Sequence, residues 1–270
     1  MLQSKAAGKT DIGLVRRQNE DDFLIDESKG VFVVADGMGG HAAGRIASKM
    51  AVNFIKRHYR KKSRSPSARH KKTHGDYSEP TEDLASAIRT ANKAVYESAQ
   101  RMTGFKGMGT TIAAVRIDGA RLSIAHIGDS RVYLIRAGNI EQLTDDHSVV
   151  YEQVKKELIT KEEAERSEIK NILTRALGIT ADPEIDLAEM SLAADDILLL
   201  CSDGLSNMVD DETMLTVVTA TSDPALACEQ LVSMANANGG KDNITVIVVY
   251  INKKNWLYSF ISYVIKRFRR

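Results

Sequence analysis

Short apolar runs rich in β-branched residues recur along this 270-residue chain, and several of them adjoin an aspartate beside a glycine. The runs cover residues 31–35, 111–117, 122–127, 132–135, 197–201 and 244–251. Runs of this kind, bounded by Gly, Asp and Asn, are typical of short buried strands. A chain of this length with 43% hydrophobic residues can bury one substantial core. The pattern therefore predicts a single domain built on β-sheets.

Longer segments between these runs carry the periodicity of amphipathic helices. They cover residues 42–59, 83–102, 211–218 and 224–237. Most of the strands follow one another through short turns, so antiparallel sheets with segregated helices fit better than a strict alternation of strand and helix. The sequence therefore predicts an α+β fold.

Aspartates stand beside the predicted strands at Asp36, Asp129, Asp203 and Asp242, and Asp21 precedes another short apolar stretch. Any one Asp-Gly pair is ordinary turn chemistry. Several such pairs can converge on one rim of a sheet, where carboxylates without cations would have to take up protons. Oxygen ligands without His or Cys at metal-ligand spacing favour Mg²⁺ or Mn²⁺ over Zn²⁺. The residues alone leave two interpretations open, turns or a hard-cation site.

Arg16 precedes Asp21 by five residues, at a spacing that suits either of two roles. Its planar guanidinium could bind phosphate oxygens. An ordinary surface arginine fits the spacing equally well.

Seven short motifs, taken in order, resemble the bacterial branch of the type 2C, metal-dependent protein serine/threonine phosphatases. They are Asp11-x-Gly13-x-Val15-Arg16-x-x-Asn19-Glu20-Asp21, Asp36-Gly37-Met38-Gly39-Gly40-His41, Gly109-Thr110-Thr111, Gly128-Asp129-Ser130-Arg131, Leu173-Thr174-Arg175-Ala176-Leu177-Gly178, Ser202-Asp203-Gly204-Leu205 and Gly240-Lys241-Asp242-Asn243. The resemblance implies a central β-sandwich of two antiparallel sheets flanked by helices on both sides. This four-layer α-β-β-α fold would carry its metals in a cleft at one edge.

The resemblance also implies a set of metal ligands. Asp36 would bridge two metal ions, and the Gly37 carbonyl would bind one of them. Asp203 and Asp242 would complete the other, and Asp129 matches a ligand of a third ion. The cofactor would be two or three ions of Mn²⁺ or Mg²⁺.

Further cleft residues have roles implied by the same resemblance. Glu20 and Asp21 would act through metal-bound waters, and Arg16 would bind the substrate phosphate. Asn243 matches a neighbour of the metal site whose role stays open. His41 is a hypothesis for the acid that protonates the leaving alkoxide.

The implied reaction is hydrolysis of phosphoserine and phosphothreonine in proteins by a metal-bridged hydroxide. Phosphorylated proteins would be its substrates, and a bacterial serine/threonine kinase its opposing enzyme. Two alternatives stay open: a catalytically silent binding module of the same fold, and a phosphatase dedicated to one phosphorylated regulator. The presence of all the expected metal aspartates favours an active enzyme.

The composition narrows the class of partner and the compartment. A formal net charge of +1 gives no basic field, so no nucleic-acid partner is expected. The chain has no long apolar stretch that would serve as a signal peptide or cross a bilayer. With only two cysteines, it fits a reducing compartment. We therefore expect a cytoplasmic monomer.

Three segments depart from the compact pattern of the catalytic domain predicted over residues 1–252. Residues 56–80 are basic and almost free of apolar side chains, which predicts a mobile loop, with a docking site for an acidic partner or nucleic acid as the alternative. Residues 148–172 correspond to a flap beside the cleft in the resembling family. Residues 253–270 form a basic-aromatic tail, either a helix packed on the body or an anchor at the inner membrane face.

Overall fold

The computed structural model describes residues 2–39, 42–61, 77–101 and 103–253. Its strands are β1 (Leu2–Asp11), β2 (Asp22–Asp26), β3 (Val31–Ala35), β4 (Gly37–Met38), β5 (Gly109–Thr110), β6 (Ile112–Asp118), β7 (Arg121–Ile127), β8 (Arg131–Arg136), β9 (Asn139–Gln142), β10 (Asp186–Ser191), β11 (Ile197–Cys201) and β12 (Ile244–Lys253). Its helices are α1 (Ala42–Lys61), α2 (Glu79–Arg101), α3 (Val149–Lys155), α4 (Lys161–Arg166), α5 (Asp203–Ser206), α6 (Asp211–Ala220) and α7 (Pro224–Ala237), with a short 3₁₀ turn at Thr103–Phe105.

The strands form two large antiparallel sheets. One has the order β1-β12-β11-β8-β9 and the other the order β10-β7-β6-β3-β2, while β4 and β5 pair separately. Side chains of both sheets meet in a shared apolar layer that includes Phe32, Val34, Leu198 and Leu200. The sheets therefore face each other as a sandwich.

Helices cover the outer face of each sheet. On β3, Val31 and Val33 alternate with the inward-facing residues, so they point away from the sandwich centre and join an apolar cluster with α1 and α2. On the other side, Leu199 of β11 joins a cluster with α6 and α7. Because successive side chains of a strand point to opposite faces, these central strands are buried on both sides and read as continuous apolar runs. The predicted four-layer α+β sandwich is confirmed.

The loop predicted over residues 56–80 is wrong at both of its ends. Residues 56–61 continue α1, and α2 already begins at Glu79. Two local features explain the difference: Tyr59 is a buried anchor for the last turn of α1, and a proline is tolerated in the first turn of α2 at Pro80. Residues 62–76 lie outside the described residues.

The other two segments are described in part. The flap segment 148–172 contains α3 and α4, and its two ends meet where Ser148 pairs with Leu173. In the tail, β12 extends to Lys253, and residues 254–270 lie outside the described residues. Within the described ranges no helix combines the length and apolarity needed to cross a membrane.

Candidate metal centre

An open cleft of about 770 Å³ lies at one edge of the sandwich and gathers the predicted site residues. Its lining includes Arg16, Glu20, Asp36, Gly37, Asp129, Asp203, Asp242 and Asn243. Asp21 is buried and hydrogen-bonded to Ser202, next to Asp203. His41 lies outside the described residues. The structure thus brings together all the described residues that the sequence singled out.

The main chain at Asp36 is fixed by two threonines. Its N–H donates to Oγ1 of Thr111 at 3.0 Å. Its carbonyl accepts from the Thr111 N–H and from Oγ1 of Thr110, both at 2.8 Å. Thr111 Oγ1 also shares a 2.6 Å hydrogen bond with the hydroxyl of Ser130. The Gly109-Thr110-Thr111 motif therefore holds Asp36 where β3 ends.

The cleft concentrates negative charge on half-buried aspartates. Asp36 and Asp203 lie close enough for the charge of Asp203 to raise the pKa of Asp36. Burial, reinforced by the charges of neighbouring aspartates, holds the pKa values of Asp36 and Asp129 well above their ordinary range. Burial and then the charge of Asp242 raise the pKa of Asp203 to about 6. Bound cations would offset this charge and keep the carboxylates ionised.

Two carboxylate oxygens at the cleft lack hydrogen-bond partners among the described residues. Asp21 accepts from Ser202 at 2.8 Å and from Thr245 at 2.6 Å, both on Oδ2, while its buried Oδ1 has no partner. The buried Oδ1 of Asp203 likewise has no hydrogen-bond partner among the described residues. An orphaned buried acceptor is costly, so such atoms call for a cation or an ordered water. Hard oxygen donors of this kind suit Mg²⁺ or Mn²⁺.

Asn243, just before β12, holds the loop between β1 and β2 that carries Arg16. Its side-chain amide donates to the carbonyls of Ile12 at 2.9 Å and Gln18 at 3.0 Å. Its Oδ1 accepts from the Glu20 N–H at 2.8 Å. The sequence left the role of Asn243 open, and these contacts assign it to holding the loop that carries Arg16.

Arg16 and Asp242 face each other across the mouth of the cleft. Nη2 of Arg16 donates to Oδ2 of Asp242 at 2.6 Å, and the arginine side chain is 55% exposed. As the described side chains stand, no three Asp, Glu, His or Cys groups already form a chelating set. To become a ligand, Asp242 would have to share or give up its contact with Arg16.

Gly204 allows the first turn of α5, which begins at Asp203, to approach the loop that carries Asp242. A Cβ at this position would lie 2.0 Å from the carbonyl oxygen of Asn243, which is main chain and cannot move aside alone. We expect Gly204→Ala to lower the free energy of unfolding by about 1–3 kcal/mol and to weaken Mn²⁺ binding. Calorimetric titration and thermal unfolding would measure both, with Gly104→Ala as control because a Cβ there meets nothing within 4 Å. Wild-type Mn²⁺ affinity in Gly204→Ala would contradict this account.

His126 lies buried on β7 with its ring centroid 4.6 Å from that of His147. Burial, together with the nearby His147, lowers the pKa of His126 to about 3. At this position the unfolded chain, with an ordinary histidine pKa, binds more protons between pH 6.5 and 3, so the contribution of His126 to stability falls as the pH falls.

We expect this histidine to remove about 2 kcal/mol of unfolding free energy between pH 7.5 and 5. The measurement is urea denaturation at both pH values, comparing wild type with His126→Leu. The leucine variant should lose less stability on acidification. An identical loss in the two proteins would show that His126 does not carry the effect.

Several bacterial proteins are similar to this chain in sequence and in structure. The family model described as Protein phosphatase 2C matches residues 9–244. The serine/threonine phosphatase stp of Listeria welshimeri is 37% identical over 247 residues, which cover 90% of this chain and 94% of that protein. The crystal structure of the Mycobacterium tuberculosis serine/threonine phosphatase PstP/Ppp has a TM-score of 0.81 at 35% identity, covering 93% and 99% of the two chains. The PstP catalytic domain in complex with two manganese ions has a TM-score of 0.82 at 34% identity, covering 94% and 100%.

Proposed function

Because this chain belongs to the protein phosphatase 2C family, it is a metal-dependent protein serine/threonine phosphatase, and we propose that its cleft aspartates hold the Mn²⁺ or Mg²⁺ ions. Asp36, the Gly37 carbonyl, Asp203 and Asp242 would hold two ions, and Asp129 would hold a third. The observation that carries this assignment is the convergence of these half-buried carboxylates in one cleft beside an exposed arginine.

When bound, the ions supply a water of lowered pKa as nucleophile and offset charge on the phosphoryl oxygens. The protein's own contribution is to fix the ligand positions. Thr110 and Thr111 hold the main chain at Asp36, and Ser202 and Thr245 orient Asp21. Such positioning supplies much of the catalysis in phosphoryl transfer, because the ligands need not reorganise during the reaction.

Arg16 would bind the phosphate of the substrate. Its guanidinium is half exposed at the cleft mouth and already donates to a carboxylate, so the same planar fork can reach two phosphoryl oxygens. Asn243 supports this role because it fixes the loop on both sides of Arg16, at Ile12 and Gln18. Glu20 and Asp21 would act on waters in the cleft, and His41 stays a proposal for the leaving-group acid.

The substrates are phosphorylated proteins. We further propose that a bacterial serine/threonine kinase produces them, which the bacterial origin of the similar phosphatases supports. We also propose that the enzyme acts as a monomer and that its tail at residues 253–270 contacts the inner membrane face.

The test is release of phosphate from a phosphothreonine peptide by purified protein with Mn²⁺, with Mg²⁺ and with EDTA. We expect turnover that EDTA abolishes and that added Mn²⁺ restores, because the carboxylates need the ions to bind and activate water. A phosphotyrosine peptide of the same sequence serves as the control substrate. Absence of turnover with either metal on any phosphopeptide would favour the silent binding module instead.

A further inference from the structure

His147 clamps the turn that carries Asp129. The side chain of this histidine is buried, with 2% of the residue exposed. Its ring Nδ1 accepts from the Gly128 N–H at 3.1 Å, and the main-chain N–H of His147 donates to the Gly128 carbonyl at 2.7 Å. Both main-chain polar groups of Gly128 are therefore bonded to a single residue.

Gly128 has little freedom to adjust if this clamp is released. It adopts φ +108°, and a Cβ there would lie 2.6 Å from the side chain of Thr111. Thr111 in turn holds the main chain of Asp36. The turn at Gly128 thus packs between two of the proposed metal ligands, Asp129 and Asp36.

A second row of contacts orients the His147 ring. Its Nε2 lies 3.0 Å from Oδ2 of Asp186, and Oδ1 of Asp186 accepts from Arg175 at 2.6 Å. Because Nδ1 must accept from Gly128, the proton of the neutral ring belongs on Nε2, where it donates to Asp186. Burial lowers the pKa of His147, which favours this neutral ring.

We propose that His147 is a positioning residue for the Asp129 metal ligand, held in the required tautomer by Asp186 and Arg175. The proposal rests on the metal-site assignment made above. The arrangement is a histidine oriented by a carboxylate, as at metal centres, except that here the ring acts on the main chain beside the ligand. It also gives a function to Arg175, which the sequence showed only as part of a motif.

The test uses two amides that each reproduce half of the histidine. In His147→Asn, Oδ1 can occupy the place of Nδ1 and accept from Gly128. In His147→Gln, the terminal amide reaches toward Asp186 but leaves the Gly128 N–H without its partner. Titration calorimetry with Mn²⁺ should show the ion proposed at Asp129 bound about tenfold more weakly in His147→Gln and within about threefold of wild type in His147→Asn.

Asp186→Ala and Glu184→Ala form a matched pair for a second comparison. Asp186 contacts Arg175 at 2.6 Å and Glu184 contacts it at 3.7 Å. The Glu184 side chain is 79% exposed, and of these two described carboxylates only Asp186 contacts His147. We expect Asp186→Ala to weaken the same Mn²⁺ site and Glu184→Ala to leave it unchanged. This pair decides the question if His147→Gln does not fold.

Two outcomes would overturn the proposal: equal Mn²⁺ affinities in the two His147 variants, or an Asp186→Ala variant that binds as tightly as Glu184→Ala. The first would reduce His147 to a packing residue. A wild-type protein that binds no Mn²⁺ would instead refute the metal-site assignment beneath it. Thermal unfolding of the metal-free variants separates lost affinity from lost folding.

Discussion

Asp36→Asn should lower kcat/KM for a phosphothreonine peptide by about a thousandfold or more at saturating Mn²⁺. The amide keeps the shape of the carboxylate but brings no charge, and it bonds weakly to hard cations. Loss of several kcal/mol of charge stabilisation in the transition state corresponds to this factor, since about 1.4 kcal/mol is tenfold in rate. The measurement is Mn²⁺-dependent phosphate release by the variant and by wild type.

The same substitution should not harm the metal-free fold. Burial and like charges hold the pKa of Asp36 well above its usual range. A neutral amide at this position should therefore destabilise the metal-free fold no more than the carboxyl group does. We expect an unchanged or higher metal-free Tm, together with loss of the Tm increase that Mn²⁺ gives wild type. Asp118→Asn, on an exposed carboxylate at the end of β6, is the control. Retention of more than a tenth of wild-type activity would remove Asp36 from the metal site.

The central strands could be predicted from sequence because both of their faces are buried. All five residues of β3 and of β11 are buried, and both strands appear in the sequence as unbroken apolar runs. By contrast, β1 and β10 were missed because their residues are polar or half exposed and alternate only weakly. The β1 strand exists because its whole length pairs with β12, a partner more than two hundred residues away in the chain. Local patterns carry no trace of such pairing.

The ligand set at the cleft could also be predicted, because aspartates beside strands mark it in the sequence. The residues that hold those aspartates in place could not be predicted from the sequence. Asn243 acts on Glu20 from 223 residues away, and Thr111 acts on Asp36 from 75 residues away. Asn and Thr side chains that bond main chain are common throughout proteins, so their sequence signal is weak. Only the folded arrangement identifies them as supports of the site.

Replacement of Arg16 should have the second-largest effect on turnover. Arg16→Ala removes a cationic donor from the transferred phosphoryl group, which should cost about a hundredfold in kcat/KM on a phosphothreonine peptide. Arg16→Lys keeps the charge but loses the two-pronged geometry, so about tenfold is expected. Arg17→Ala is the matched control, since Arg17 lines the same cleft and forms no ion pair with any residue that the structure describes. It should stay within about threefold of wild type on the same peptide.

The Mn²⁺ affinity of Arg16→Ala shows whether Arg16 binds the substrate phosphate or only orients Asp242. The guanidinium donates to Asp242 at 2.6 Å, so its removal frees that carboxylate for the metal. If Arg16 acts on the substrate phosphate, Arg16→Ala should lose activity while binding Mn²⁺ as tightly as wild type or more tightly. If Arg16 instead serves only to orient Asp242, metal affinity and activity should fall together. Calorimetric titration of the variant with Mn²⁺, beside its kinetics, separates the two, and a joint loss would withdraw the phosphate-binding role.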